Sequence, residues 1–592
     1  MYDNINFLDR KRDEEAGHAA VYRAMTNASY VICEDIPTTG LFQSMHNPTR
    51  PLQLEDVALS PGITGSDGIG VHISTSLIAD AVKRVHGDAI ASIFSGDEAA
   101  QYPSFPTVER LAPRRTQFWQ FAGIPADEGT IEGTYQVHDS IFLEQLGLSA
   151  SDLPNQADDF HERLFLVHGD QLTAHRIRAV QREQEQASRT YDRRRWIHAV
   201  PAWFHVQMNL LNTIVRTHWA PLIRQESDIH CVSGDITRWG RSQTSRDNVK
   251  YHLLEPIVAQ GFTARVVALF YASMRRQGHI EAGDDKTGRL EVVADAIRRL
   301  SVTQFLQLVE DVRITAFTYA SWASQTPDVD FRTMCRFLQE AELFLTLRYA
   351  IKCGDIGMLR RIVDPLVVVF FGAAQHNYGR EMLYYRWNLS SANSPELQQA
   401  ILASGLVNWP GQESTFKAID LALEHLNWSC KLDLRNYKNS THDIDIIFRR
   451  ATLCNTTVRA LREKLETFFG EAMPSTHTSA AAVSDMFLLA WTLYVGDYAE
   501  PRDSNLLLRL HMFDSHDIFQ AGIDTLEEKI EQFNAQYVRQ PTTALGPDAL
   551  SRCDDHDNFV DIHEYAHLIH DQYDAVTDPA FDLTHIPTID LT

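Results

Sequence analysis

Paired cysteines are missing from this sequence. Its seven cysteines (Cys33, Cys231, Cys335, Cys353, Cys430, Cys454 and Cys553) are odd in number, widely scattered and include no CxxC pair. That argues against a disulfide framework and points to a reducing compartment, nuclear or cytoplasmic. Long hydrophobic runs are also missing. No stretch approaches the ~20 uninterrupted apolar residues that a bilayer-spanning helix needs, so no membrane association is expected. Met1-Tyr2-Asp3-Asn4 opens the chain without a basic segment followed by an apolar one, so secretion is not expected either. There is no repeat of fixed period and no low-complexity tract. Positive charge is scarce: a net charge of −24 argues against indiscriminate nucleic-acid binding, which depends on lysine and arginine neutralising phosphates.

What is present suits a folded protein. The 592 residues are 44% hydrophobic and 22% charged, enough apolar material for a sizeable core. The length suits three or four domain-sized units, or one core with large insertions. Charge is unevenly spread. Residues 171–250 hold thirteen Lys/Arg against seven Asp/Glu, while 541–592 hold one Arg against eleven acids. A basic channel with an acidic tail accounts for this, and so does a solvated surface.

Secondary-structure patterning changes along the chain. Residues 1–35 read as short strands and turns, with Ser29-Tyr30-Val31-Ile32-Cys33 the clearest strand. The strand at Tyr2-Asp3-Asn4-Ile5-Asn6-Phe7 starts abruptly, as a short strand or the beginning of a truncated chain would. Residues 36–70 are rich in Pro, Gly, Ser and Thr and read as a loop excursion. A helix is expected over 72–95 and irregular structure over 100–158, where Pro103, Pro106, Pro113, Pro125 and Pro154 fall. The apolar run Leu164–Val167 reads as a buried strand. From about 174 to 540 the periodicity is overwhelmingly helical, and the tail after Pro541 is acidic and rich in His and Pro. The expected fold class is an α/β core carrying a large all-α insertion, predominantly helical overall. Its units are 1–173 (the N-terminal α/β part), 174–410 (the helical insertion), 411–540 (a C-terminal helical part completing the core) and 541–592 (the tail).

Asp170 is the foremost candidate site residue. It ends Leu164-Phe165-Leu166-Val167-His168-Gly169-Asp170, a buried strand with a carboxylate at its carboxyl end, where ligands bind in open α/β sheets. Its plain alternative is to cap the helix that follows Gln171-Leu172-Thr173. Asp3 sits comparably, beside Asn4. On the helix Phe416–Leu432, positions Asp420, Glu424, Asn427 and Lys431 share one narrow stripe at 100° per residue. Apolar flanks hem that stripe, as expected of acids that face a site; an ordinary amphipathic helix would instead turn it to water. Three acids from separate elements are what two-metal phosphoryl transfer requires, since Mg²⁺ or Mn²⁺ takes oxygen ligands. Asp3, Asp170 and Glu424 supply that set.

Weaker candidates surround it. His205, with Asn209 and Asn212, lies on a helix around Trp203–Trp219, either as a supporting group or as a core histidine. His376 in Gln375-His376-Asn377-Tyr378 is similar. In the tail, His563-Glu564-Tyr565-Ala566-His567 matches HExxH, in which two histidines bind zinc and the Glu is the base. A third ligand is lacking: His570 stands where the longer pattern wants Gly and Tyr573 where it wants His. Only a non-standard geometry recruiting His570, Asp571 or Asp574 would complete it.

Tyr2-Asp3-Asn4-Ile5-Asn6, His168-Gly169-Asp170-Gln171-Leu172-Thr173, Phe204-His205 with Met208-Asn209, His376-Asn377-Tyr378 and Glu424-His425-Leu426-Asn427 occur in that order. The sequence resembles a large fungal family of domains of unknown function, abundant in mushroom-forming fungi, over nearly the whole chain to about residue 470. Members of that family resemble transposase cores with an RNase H-like fold. The resemblance implies a first Asp on the first strand, a second ending a later strand and a Glu on a helix, here Asp3, Asp170 and Glu424. It also implies a helical insertion between the last two. Asn4, Gln171, His205, His376, His425 and Asn427 would be supporting residues, Mg²⁺ or Mn²⁺ the cofactor and nucleic acid the partner. Two features depart from a working transposase: family members continue upstream of the Tyr2-Asp3-Asn4 block, and the net charge is acidic. The expected function is a transposase- or nuclease-like protein, either working or degenerate. The alternatives are a catalytically silent helical scaffold and a zinc hydrolase using the tail motif.

Overall fold

The computed structural model describes residues 1–538 apart from 10–20, 34–39, 58–67, 152–157, 221–229, 242–245, 247–249, 281–289, 318–325, 437–443, 470–481 and 503–513. It is predominantly helical with small sheets. Strand β1 (Tyr2–Asp9) pairs antiparallel with β2 (Val21–Ile32), and β3 (Gln117–Gln120) pairs antiparallel with the other edge of β2. Strands β4 (Phe165–Gly169) and β5 (Ile197–Pro201) form a separate parallel pair, and β1 lies next to β4. The last pair is β6 (Leu406–Val407) with β7 (Lys417–Ala418).

Around Tyr2–Ile5 and Met25–Ser29 both faces of the first sheet are covered, which erases the simple alternation expected of a half-exposed strand. Tyr2 and Ala28 pack on one side with Phe121, Phe160, Val167 and Trp196. On the other side, Ile5 and Met25 meet Cys430, Leu434 and Phe448, and Phe118 meets Trp409 and Leu426.

The helices follow in chain order. They begin with α1 (Ile69–Val85), α2 (Gly87–Ile93), α3 (Ile131–His138), α4 (Gln171–Glu183), α5 (Trp203–Thr217) and α6 (Val232–Arg238). Next come α7 (Tyr251–Arg276), α8 (Leu290–Arg298), α9 (Val302–Ala316), α10 (Val329–Cys353), α11 (Ile356–Gly372) and α12 (His376–Asn388). The series closes with α13 (Pro395–Ser404), α14 (Ile419–Asn436), α15 (Ile444–Phe469), α16 (Ala482–Val495) and α17 (Ile518–Tyr537). The largest core joins α1, α5, α7, α9, α10 and α11 through residues such as Ile78, Leu211, Phe262, Phe305, Phe337 and Leu366. Among the described helices only α7 is long and apolar enough to cross a membrane, and 78% of its apolar window is buried inside the fold.

Three expectations need correction. The stretch 100–158 is not wholly irregular: it holds β3, α3 and a π-helical turn at Asp139–Gln145. Its elements are short and separated by prolines, so no periodicity builds up, although Thr130 caps α3 by accepting from the Gly133 N–H. The stretch read as overwhelmingly helical also contains the short pair β6 and β7 and the strand β5, whose five residues are all buried and therefore show no period-2 pattern. The N-terminal strands are longer than expected, at eight and twelve residues. Residues 541–592, with the His563–His567 motif and its possible third ligands, lie outside the described residues.

Candidate functional site

Two parallel strands, β4 and β5, each turn directly into a helix at their carboxyl ends. Gly169 makes the first turn possible: a Cβ there would stand 2.4 Å from Thr173 Cγ2. Asp170 follows as the N-cap of α4, its Oδ1 accepting from the Thr173 N–H at 2.7 Å. Capping is therefore what this carboxylate does with one oxygen. The same side chain lines a narrow cleft with Met1, Tyr2, Asp3, His168, Gly169, His205, Asp420 and Leu423.

Asp3 enters from β1, opposite Asn27 in the register. Its Oδ2 accepts from Asn427 Nδ2 at 3.2 Å and its Oδ1 from the Asn4 N–H at 2.8 Å. Asn427 Oδ1 accepts from Asn27 Nδ2 at 2.8 Å, and Asn27 Oδ1 from Gln120 Nε2 at 3.3 Å. A chain of amides thus runs from β3 through β2 and α14 and ends on Asp3. Burial, with the nearby charges of Glu424 and Asp170, pushes the Asp3 carboxyl well above the usual carboxylate range against the opposing pull of His205.

The polar stripe of α14 faces inward. Asp420, Glu424 and Asn427 are 5%, 8% and 1% exposed, so the stripe does not meet water as on an ordinary amphipathic helix. Glu424 Oε1 stands 3.8 Å from His205 Nε2. Asp420 Oδ2 accepts from the His205 N–H and contacts His205 Nδ1, both at 3.0 Å, while Oδ1 accepts from the Phe204 N–H at 3.1 Å. The α5 N-terminus has no cap from its own Ala202, and a carboxylate from another helix fills that role. Burial works against charge on His205. The Asp420 bond and the charges of Asp420, Asp170 and Glu424 outweigh it, lifting the imidazole to about 10. Its surroundings thus favour the protonated form of His205.

The predicted residues therefore divide. Asp3, Asp170, His205 and Asn427 come together, with Glu424 against His205. Asn4 supports Asp3 through its backbone. His425 does not line the cleft: it follows Glu424 by 100° around α14, and its ring centroid lies 6.2 Å from that of Trp409. His376 is exposed at the start of α12 with its ring on Phe371, and Gln171 opens α4; neither lines the cleft. His168 is neutral, burial pushing it to about 3, with Nε2 bonded to Ser404 Oγ at 2.8 Å.

Sequence reasoning missed Asn27 and Glu128, and it saw Asp420 in the stripe without giving it a role. Glu128 is 3% exposed in the loop before α3, and its Oε1 accepts from Thr173 Oγ1 at 3.1 Å. Its carboxyl lies well above the ordinary range, from burial first and then from Asp3 and Asp170. Nothing local in Ala126-Asp127-Glu128-Gly129 marks it. The basic stretch 171–250 is less available than its composition indicates: Arg178, Arg189, Arg194, Arg195, Arg238 and Arg241 are held in ion pairs with acids.

The donor chemistry suits a divalent cation: several desolvated carboxylates share one space, and the basic groups beside them among the described residues include His205 and the Met1 amino group, the latter pushed down to about 5 by burial. Among the described residues, no three His, Cys, Asp or Glu side chains already stand in a metal-holding arrangement. The cluster is a donor set and not a formed coordination shell.

Residues 67–477 match the family of unknown function DUF6589, and the chain belongs to that family. Glu128, Asp170, His205, Asp420 and Glu424 fall inside the matched span; Asp3 lies before it. No curated protein and no solved structure matches the chain.

Proposed function

We propose that this chain is an RNase H-like core of transposase or nuclease type, whose activity is metal-dependent phosphoryl transfer on nucleic acid. One observation carries the reading: carboxylates from β1, the end of β4 and α14, far apart in sequence, meet beside the carboxyl ends of two parallel strands. The strand arrangement supports it, with β3, β2 and β1 in sequence across one sheet and β1 next to the parallel pair β4 and β5. Asp3, Asp170 and Glu424 would hold Mg²⁺ or Mn²⁺. Such ions, when bound, activate an attacking oxygen and stabilise a leaving one. The chain's own residues supply orientation: Asn427 holds Asp3, the α4 cap fixes Asp170, and Asp420 aims the His205 imidazolium at Glu424.

A scaffold without catalysis would have these acids scattered or paired with arginines; here they are gathered around a histidine. The test is Mn²⁺- or Mg²⁺-dependent cleavage of labelled DNA and RNA by wild type and by Asp170→Asn. Asn caps helices about as well as Asp, so this variant keeps the α4 start and removes only the charge. Cleavage by wild type that falls to background in Asp170→Asn, with unchanged melting, supports the proposal. Equal activity in both, or none in either, overturns it.

A further inference from the structure

We infer that Glu128 is a fourth carboxylate of this site and that it shares a divalent cation with Asp170 and Asp3. The inference rests on the metal reading above and extends it to a residue outside the predicted three.

The loop that carries Glu128 is fixed at several points. Thr26 Oγ1 donates to Ala126 O at 2.7 Å, Thr134 Oγ1 donates to Glu128 O at 3.0 Å, and Asp127 Oδ1 accepts from the Gly129 N–H at 2.9 Å. Gly133 lets the loop press on α3: a Cβ there would stand 1.7 Å from Asp127 O. The backbone is held tightly enough to drive the Glu128 side chain inward.

Thr173 then ties two acids together. Its N–H caps to Asp170 Oδ1 at 2.7 Å, and its hydroxyl donates to Glu128 Oε1 at 3.1 Å. One residue thus holds a carboxylate from the end of β4 beside one from the α3 loop. Glu128 Oε2 is buried and has no hydrogen-bond partner among the described residues. The charged groups that face Glu128 are the acids Asp3, Asp170 and Asp127 and the Met1 amino group, which burial pushes down to about 5. A desolvated carboxylate oxygen with no donor, among three other carboxylates and an amino group that burial disfavours as a cation, is costly to bury unless a proton or a metal cation compensates it. A cation bridging Asp3, Asp170 and Glu128 satisfies all three groups together.

Titration of the metal-free protein with MnCl₂, followed by calorimetry and by thermal melting, tests this without any substrate. Asp170→Asn and Glu128→Gln are each expected to weaken Mn²⁺ binding at least ~10-fold, the scale of losing a group that shapes a metal site. Gln keeps an acceptor for Thr173, so circular dichroism should show the same fold. Glu128→Asp keeps the charge and withdraws it by one methylene, so its affinity should fall between wild type and Gln. Weakening in Asp170→Asn with both Glu128 variants binding as wild type overturns this inference and leaves the proposed function standing. No Mn²⁺ binding by wild type overturns both.

Discussion

Asp420 on α14 grips His205 on α5 twice, through the ring Nδ1 and through the backbone N–H, both at 3.0 Å. A carboxylate 215 residues downstream therefore does for α5 what an N-cap residue usually does from within the helix. The same contact holds the imidazole in the cleft with its Nε2 toward Glu424.

Asp420→Ala is expected to destabilise the fold by ~1–2 kcal/mol, the usual cost of a lost cap, as measured by urea unfolding. Asp420→Asn separates the charge from the cap. Folded His205 titrates near 10 and an unfolded histidine near 6.5, so its stabilising contribution is complete below pH 6.5 and is lost as pH rises through about 10. The stability gap between wild type and Asp420→Asn should be widest near pH 6 and shrink by pH 10. A gap that does not change with pH refutes the charged His205.

Glu342 on α10 is buried, and burial pushes its carboxyl up to about 7 despite the Ser74 hydroxyl bond at 2.5 Å and the Arg313 charge. An unfolded Glu ionises near 4.5, so between there and about 7 the folded chain binds more protons than the unfolded one. Stability from this group must therefore fall as pH rises through that window. Glu342→Gln, which keeps an acceptor for Ser74, should gain on wild type from pH 5 to pH 8. Equal melting differences at the two pH values count against this.

Helices α11 and α17 cross through two glycines. A Cβ at Gly522 would stand 2.0 Å from Val368 O, and one at Gly372 would stand 1.7 Å from Ile518 O. Gly522→Ala should cost ~1–3 kcal/mol, since backbone cannot yield as a side chain does. Melting unchanged within a degree would show that the helices part freely.

Arg178 on α4 and Glu381 on α12 form a buried ion pair, with the guanidinium 4.4 Å from the Tyr384 ring centroid. Removing one partner strands a buried charge at a cost of ~3–5 kcal/mol, whereas an apolar pair of similar volume is often neutral. Glu381→Leu should be strongly destabilising, and the double variant Arg178→Met with Glu381→Leu less so. Additive losses in denaturant titrations would contradict this.

Much of the site was legible in the residues. The apolar run ending in His168-Gly169-Asp170 marks a strand end, and the 100° spacing of Asp420, Glu424 and Asn427 marks one helix face. Both signals are local, because strand and helix periodicity is written in consecutive residues. What local signals leave open is which far-apart residues meet. Glu128 sits in a loop with no period, and its role exists only because Gly133 lets that loop press inward until Thr173 reaches both carboxylates. Asn27 lies on a strand buried on both faces, where alternation carries no information. His425 and His376 share the resemblance with Glu424, yet one turns to Trp409 and the other to the surface. The sequence by itself determined the elements and the acids they carry; only the tertiary structure decided which acids share a space. Desolvation and mutual repulsion among carboxylates arise between segments that the chain brings together from hundreds of residues apart.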